Sequence, residues 1–170
     1  FERAFDLEKM SSSQKQMKIS VREVQGANDI AKVEQLAEEI WTQHYTPIIG
    51  IDQVEYMLEN FQSFEAIEKQ ISEGVIYSLL FFEGDPVGYL ASKPQGGDMF
   101  LSKIYVLSRM RGKGIGGYAM NYLESRAKEM GCSQLSLTVN KNNTDSIRAY
   151  EKMGFINVRP LQTDIGKGFI

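Results

Sequence analysis

The chain has 170 residues, 42% of them hydrophobic and 24% charged, which fits one domain with a buried core and neither a disordered nor a fibrous protein. Its net charge of −3 is unevenly placed: residues 1–100 carry 8 Lys/Arg against 17 Asp/Glu, and residues 101–170 carry 11 against 5. The acidic part argues against a nucleic-acid platform and suits cationic partners, whereas the basic part suits an anionic ligand.

Residues 1–6 place acids where an export leader needs basic residues and then an apolar run, so the expected compartment is the reducing cytoplasm. Residues 1–17 read as a flexible extension, because residues 11–16 show no apolar period, and Met10 offers an alternative start. A single domain is expected over residues 18–170. Residues 19–24 alternate weakly as a first strand. From Asn28, an expected N-cap, Ile30, Val33, Ala37, Ile40 and Trp41 recur at helical spacing, predicting a helix to about Gln43. A second helix is expected after Asp52 and a third after Ser63, ending at Gly74. The period then changes. Residues 75–82 read as a strand too short to span a bilayer, 83–86 as a turn and 87–92 as the returning strand. Residues 94–97 form another break, followed by a strand at 99–107, a helix at about 114–130, a strand at 135–139, a helix at 144–153 and a strand at 155–161. Cys132, the single cysteine, lies between Gly131 and a buried strand and reads as a core thiol. With one histidine besides, His44, an internal disulfide and a cysteine-based metal site are excluded and a zinc enzyme is a poor fit.

The strongest chemical signal is the stretch 106–117, where a strand ends, four glycines fall within six residues and a helix opens. Glycine lets backbone amides approach a ligand closely. A helix start leaves its first N–H groups unpaired at the positive end of the dipole, which together bind phosphate. Arg111 and Lys113 add charge there, so a pyrophosphate-bearing ligand is the natural guest. The pattern G-x-x-x-x-G-K-[ST] is absent, against an ATPase. Gly112, Gly114 and Gly117 satisfy G-x-G-x-x-G, yet the next strand ends without the acid that would bind a ribose hydroxyl, and fewer than 60 residues remain for a doubly wound sheet. A nicotinamide-binding module is therefore a weak alternative.

The same stretch resembles the coenzyme-binding segment of the GNAT superfamily of N-acetyltransferases. Its pattern [RQ]-x-x-G-x-[GA] is matched completely by Arg111-Gly112-Lys113-Gly114-Ile115-Gly116. A second segment agrees in spacing: the strand at 135–139, then Asn140, Asn143, Ala149, Tyr150 and Met153-Gly154-Phe155. The likeness runs from about Ile19 to the C-terminus in element order. It implies an α+β fold, a mixed, mainly antiparallel sheet flanked by helices, and transfer of an acetyl group from acetyl-CoA directly to a primary amine, with no metal. It further implies that the amides of Arg111, Gly112, Lys113, Gly114, Ile115 and Gly116 hold the pyrophosphate. Ile104, Tyr105 and Val106 would offer backbone groups to the pantetheine arm and the acyl carbonyl, the latter an oxyanion-type contact. Asn143 would fix the coenzyme, with capping of the last helix as its alternative role. Tyr150, a phenol protonated at neutral pH, would return a proton to the leaving thiolate; packing on the face of Ile147 and Met153 is the alternative.

Two departures accompany the match. Relatives often carry a glutamate base near Ser102, which cannot serve, leaving Glu55, Tyr45 and Tyr105 as unranked candidates. His44, at an expected helix end, reads as structural. The family closes with a further strand, but the chain stops where that strand begins, so the expectation is an incomplete final strand that is trimmed, disordered beyond this point, or completed by a partner subunit in a homodimer. In this family the early helices shape the acceptor pocket. Here they carry Glu34, Glu38, Glu39, Asp52, Glu55, Glu59, Glu65 and Glu68, with Trp41, His44, Tyr45 and Tyr56 as an aromatic lining. The expected acceptor is a small cationic amine such as a polyamine, or a lysine or N-terminal amine of a peptide. A coenzyme-binding sensor without turnover is the rival, favoured by the serine at 102 and opposed by Asn143 and Tyr150.

Overall fold

Six strands among the described residues build the central sheet: β1 (Glu2–Ala4), β2 (Ile19–Glu23), β3 (Ile76–Phe82), β4 (Asp85–Gln95), β5 (Asp98–Val106) and β6 (Gln134–Leu137). The computed structural model describes the backbone of residues 2–4 and all of residues 18–139 and 144–156. The strands lie in the order β1-β6-β5-β4-β3-β2, and every neighbouring pair is antiparallel except β5 with β6. Helices α1 (Gly26–Ile49), α2 (Ile51–Phe61) and α3 (Phe64–Ser72) follow β2, α4 (Ile115–Glu129) joins β5 to β6, and α5 (Thr144–Lys152) follows β6. The mixed, mainly antiparallel α+β architecture is the one the sequence implied. No helix among the described residues is long and apolar enough to cross a membrane.

Helices cover both faces of the central strands, which is why β3 reads as a nearly continuous apolar run rather than an alternating one. Tyr77, Tyr89 and Tyr105 turn toward α1, where Trp41 lies against Tyr105. Ile76, Ser78 and Ser92 point the other way, toward Tyr122, Leu123 and Arg126 of α4. Side chains such as Val33, Ile67, Leu79 and Leu135 are fully buried between these layers, each stabilising the fold by about 1.5–3 kcal/mol relative to exposure.

Several boundaries differ from the sequence reading. α1 begins at Gly26 with Gln25 as its N-cap, and Asn28 is exposed inside the first turn. The end is held by Asp29, whose carboxylate accepts from the Gln25 amide at 2.9 Å and from both Arg22 guanidinium nitrogens at 2.6 and 3.1 Å. At its other end α1 continues through Pro47 to Ile49, because Tyr45 and Ile49 extend the buried stripe of Trp41 by one turn each. Ser63 does cap α3, its Oγ accepting from the Ala66 amide at 3.2 Å. Pro86 and Pro94 lie within β4 rather than outside it, leaving two-residue turns at 83–84 and 96–97.

The N-terminal residues enter the sheet: Glu2–Ala4 pair antiparallel with β6, on its free edge. Residues 5–17 lie outside the described part, as does most of the expected strand at 155–161, of which Ile156 forms a single bridge.

Candidate active site

β5 and β6 run side by side only from Asp98 to Leu101, paired with Gln134–Leu137, and then part. Beyond Leu101 the β6-facing edge of β5 is open among the described residues. The Leu107 amide bonds the Val87 carbonyl at 2.8 Å, and Tyr105 and Lys103 follow opposite Tyr89 and Ala91. Alternation of an antiparallel ladder therefore turns the backbone groups of Ile104 and Val106 away from β4, into the open edge. Tyr105, expected beside them as a backbone donor, instead spends its amide and carbonyl on β4, and its side chain joins the aromatic layer under α1.

The chain leaves β5 through a single 3-10 turn, Ser108–Met110, which Arg109 ties to α1 through a 3.1 Å contact with Glu39. Arg111 and Gly112 follow, and Gly114 adopts the left-handed conformation, φ +83, as the residue that starts α4. No side chain caps this helix, whereas Ser63 caps α3. The first bond of α4 runs from the Tyr118 amide to the Gly114 carbonyl, so the amides of Ile115, Gly116 and Gly117 precede the helical ladder. Ile115 is buried and anchors the helix, while Arg111 and Lys113 are exposed, the latter with its ammonium 5.6 Å from the Phe82 ring centroid. An uncapped helix start, flanking cations and the open edge of β5 thus stand end to end, an arrangement able to take an anionic head group with an extended, hydrogen-bonding tail.

On the α1 side of the same strand lies a cavity of about 190 Å³, lined by Ile40, Gln43, His44, Val106, Ser108 and Arg111. His44 is inside α1, not at its end, and its ring meets Tyr45 edge-on at 4.7 Å. Tyr45 Oη and Tyr105 Oη are 3.2 Å apart. Tyr150, on α5, packs edge-on against Phe155 and lies close enough to Tyr45 and Tyr105 to influence both. Burial raises the Tyr150 phenol above its ordinary pKa, with Tyr45 adding to the effect. Burial likewise pushes Tyr105 well up, reinforced by Tyr45. Tyr105 and Tyr150, from β5 and α5, are therefore held as neutral hydroxyls beside Tyr45 of α1. Asn143, Asn140 and the residues between them lie outside the described part.

Ser102 is the extra residue of a bulge in β5; it is exposed and bonds the Ala91 carbonyl at 3.1 Å. Glu55 is exposed on α2, and Cys132 is a buried core thiol. Two of the early acids have structural partners: Glu34 accepts from the Phe64 amide at the start of α3, and Glu39 holds Arg109. The sequence reading missed two features of this layer. One is a buried hydrogen-bond chain from Trp41 through Tyr89, Gln62 and Tyr77 to Gln70. The other is Lys103, whose ammonium lies 5.9 Å from the Tyr77 ring centroid and whose pKa burial lowers to about 8. A lysine within an apolar strand, and tyrosines at inward positions of three adjacent strands, were the available signals.

The acetyltransferase (GNAT) family profile matches residues 33–155. The spermine/spermidine N(1)-acetyltransferase of Bacillus subtilis (strain 168) is 28% identical over 85 residues, 45% of this chain and 56% of that protein. An uncharacterized N-acetyltransferase of the same organism, YdgE, is 30% identical over 105 residues, 55% of this chain and 66% of that protein. The matched segments thus span less than two thirds of either curated relative. Among solved structures, PaiA N-acetyltransferase from Thermoplasma acidophilum in complex with coenzyme A superposes with a TM-score of 0.72 at 20% identity, over 81% of this chain and 89% of that one. With the family profile covering most of its length, this chain belongs to the GNAT acetyltransferase family.

Proposed function

We propose that this protein transfers an acetyl group from acetyl-CoA directly to a primary amine, preferentially a small cationic one. The observation that carries the reading is the continuity of the uncapped α4 start with the open edge of β5. Amides at 115–117, with Arg111 and Lys113, hold the pyrophosphate, and the outward backbone groups of Ile104 and Val106 hold the pantetheine arm and the acyl carbonyl. The coenzyme supplies an acetyl group activated as a thioester. Tyr150, kept protonated by burial, donates its proton to the departing sulfur. Polyamine acetylation by the Bacillus relative and the aromatic layer of Trp41, Tyr45 and Tyr105 support a cationic acceptor, as does the acidic surface of α1–α3. A peptide lysine or N-terminal amine satisfies the same chemistry.

The exposed serine at the β5 bulge, where a base is expected, favours a second reading, a coenzyme sensor without turnover. Thiol release from acetyl-CoA over a panel of amines, with Tyr150→Phe alongside wild type, decides between them. The enzyme reading expects release with spermidine or lysine peptides, and a loss of roughly 100-fold or more in Tyr150→Phe with CoA affinity retained. Absence of release in both forms with CoA still bound selects the sensor. Acceptance of anionic amino acids alone removes the preference for cations, and failure to bind CoA removes the assignment.

A further inference from the structure

Hydroxyl protons on the α1 side of the sheet can be counted. The Tyr89 hydroxyl accepts from Trp41 Nε1 at 3.1 Å and donates to Gln62 Oε1 at 2.5 Å. The Tyr77 hydroxyl accepts from Gln62 Nε2 at 3.0 Å and donates to Gln70 Oε1 at 2.5 Å, and Gln70 Nε2 ends the chain on the Phe61 carbonyl at 2.8 Å. Each of these tyrosines has one proton, and it is spent. This half of the layer is a closed, directional network that holds α2 and α3 on the sheet.

Tyr45 and Tyr105 are different. They make one hydrogen bond between them, with either oxygen able to donate. Two protons and four lone pairs serve that single bond, so in both orientations one O–H and three lone pairs stay uncommitted among the described residues. The pair is part-buried rather than sealed in the core, so this spare capacity stays within reach of a ligand. Tyr105 sits between Ile104 and Val106, whose backbone groups enter the open edge of β5. Tyr150 neighbours both hydroxyls. The Trp41 ring stands 5.5 Å from each of the two phenol rings, giving an apolar wall with a negative π face.

An attacking amine needs this set of groups. Its N–H bonds require oxygen acceptors that leave the lone pair free to point at the thioester, and an arriving ammonium is favoured by aromatic faces. We propose that the Tyr45–Tyr105 hydroxyl pair, walled by Trp41, is the acceptor-amine subsite, which rests on the acetyl-transfer reading and names the residues that receive the amine. The arriving ammonium first loses one proton to solvent, which frees the nitrogen lone pair, and the amine nitrogen then forms its bond to the acyl carbon as the carbon–sulfur bond breaks. The sulfur keeps that electron pair and takes the Tyr150 proton, and the surplus proton of the amine passes to solvent, from which Tyr150 is reprotonated.

Trp41 is the sole tryptophan of the chain and its ring lies against both phenols, so its fluorescence reports occupancy without turnover. Spermidine is titrated into the CoA-loaded protein while fluorescence is followed, and thiol release gives KM and kcat in parallel. Wild type is expected to show a saturable fluorescence change. Tyr45→Phe and Tyr105→Phe are each expected to raise the spermidine KM about tenfold, as for loss of one hydrogen bond to a charged group, with kcat less affected and CoA affinity within twofold. Tyr89→Phe, whose proton is committed to Gln62, is expected to lower Tm and leave the spermidine KM within twofold. If Tyr105→Phe does not fold, the less buried Tyr45→Phe carries the test alone. The subsite is overturned if thiol release proceeds while Trp41 fluorescence is silent to saturating spermidine, or if Tyr45→Phe leaves both KM and the titration unchanged. If wild type releases no thiol but its fluorescence titrates and Tyr45→Phe abolishes that response, the subsite stands and the transfer reading falls.

Discussion

Among the described glycines Gly88 has the least room for a β-carbon, and replacing it with alanine probes whether β5 must keep its place. A β-carbon built on Gly88 meets the Tyr105 carbonyl oxygen at 2.3 Å, the Val106 α-carbon at 3.1 Å and a Leu80 methyl at 3.3 Å. Real β-carbons essentially never approach within 3.0 Å, so β4 and β5 must separate locally by about 0.7 Å or more. Two of these contacts are backbone and cannot rotate away. The Leu107–Val87 hydrogen bond, 2.8 Å long, would then stretch to the edge of bonding range or beyond, as would the exchange between Tyr89 and Tyr105. Two weakened backbone bonds at about 1 kcal/mol each, added to an overpacking cost of about 1–3 kcal/mol, give a loss of roughly 3–5 kcal/mol. For a chain of this length that corresponds to a fall in Tm of about 10 °C. The displaced segment carries Ile104 and Val106, so CoA affinity should fall as well. Thermal melts and a CoA titration on Gly88→Ala measure both. A Tm within 2 °C of wild type with undiminished CoA affinity would refute the argument that close approach of β4 fixes the coenzyme-facing edge.

Asp29→Asn keeps the shape of the side chain but loses the charge that binds Arg22 and the Gln25 amide, and should cost about 1–3 kcal/mol at pH 7. The Arg22 guanidinium holds this carboxyl below its ordinary 3.8 in the folded state, so its contribution is complete above about pH 4 and disappears as pH falls through the folded pKa. In melts of both forms from pH 7 downward, the gap between them should narrow once the pH falls below about 4. Lys103→Met removes a buried ammonium and should raise Tm at pH 7 by about 2–4 °C. Burial lowers the Lys103 pKa to about 8, so the folded protein sheds this proton before the unfolded chain does, and the advantage of the methionine form should shrink between about pH 8 and 10. A difference that stays constant across that range would show that the ammonium is not desolvated.

The phosphate-facing turn was legible because its requirements are local. Gly114 must take a left-handed φ and Ile115 must anchor a helix, and both demands are written in neighbouring residues. The three-helix, hairpin and β-α-β-α order was legible for the same reason, through hydrophobic period and turn residues. Two kinds of feature were not. One is the extension of α1 through Pro47, where the tertiary burial of Tyr45 and Ile49 outweighs a residue that locally signals a stop. The other is the commitment of each hydroxyl proton, since Tyr45, Tyr77, Tyr89 and Tyr105 are the same residue type and only their partners distinguish structural from available ones. The separation of β5 from β6 after Leu101 depends on register between strands more than 30 residues apart, and no single segment encodes it.

The source of any preference for cations also shifts once partners are assigned. In the sequence, the acid excess of the early helices and an aromatic lining both point to a cationic acceptor. In the fold, Glu34 caps α3 and Glu39 binds Arg109, while Glu38, Asp52, Glu55 and Glu59 stand exposed to solvent. Exposed carboxylates act at long range and are screened over about 10 Å at 0.1 M salt. The Trp41 and tyrosine faces act at contact, in a layer where Trp41 is buried and Tyr45 and Tyr105 are half-buried, so salt screens them less. Selection by the aromatic layer therefore predicts a spermidine KM that changes by less than about twofold between 50 and 300 mM salt. Selection by the acids predicts a steep rise over the same range, carried mainly by the association rate. A steep rise would move recognition out to the rim of α1 and α2, and would leave the aromatic layer with orienting the amine rather than attracting it.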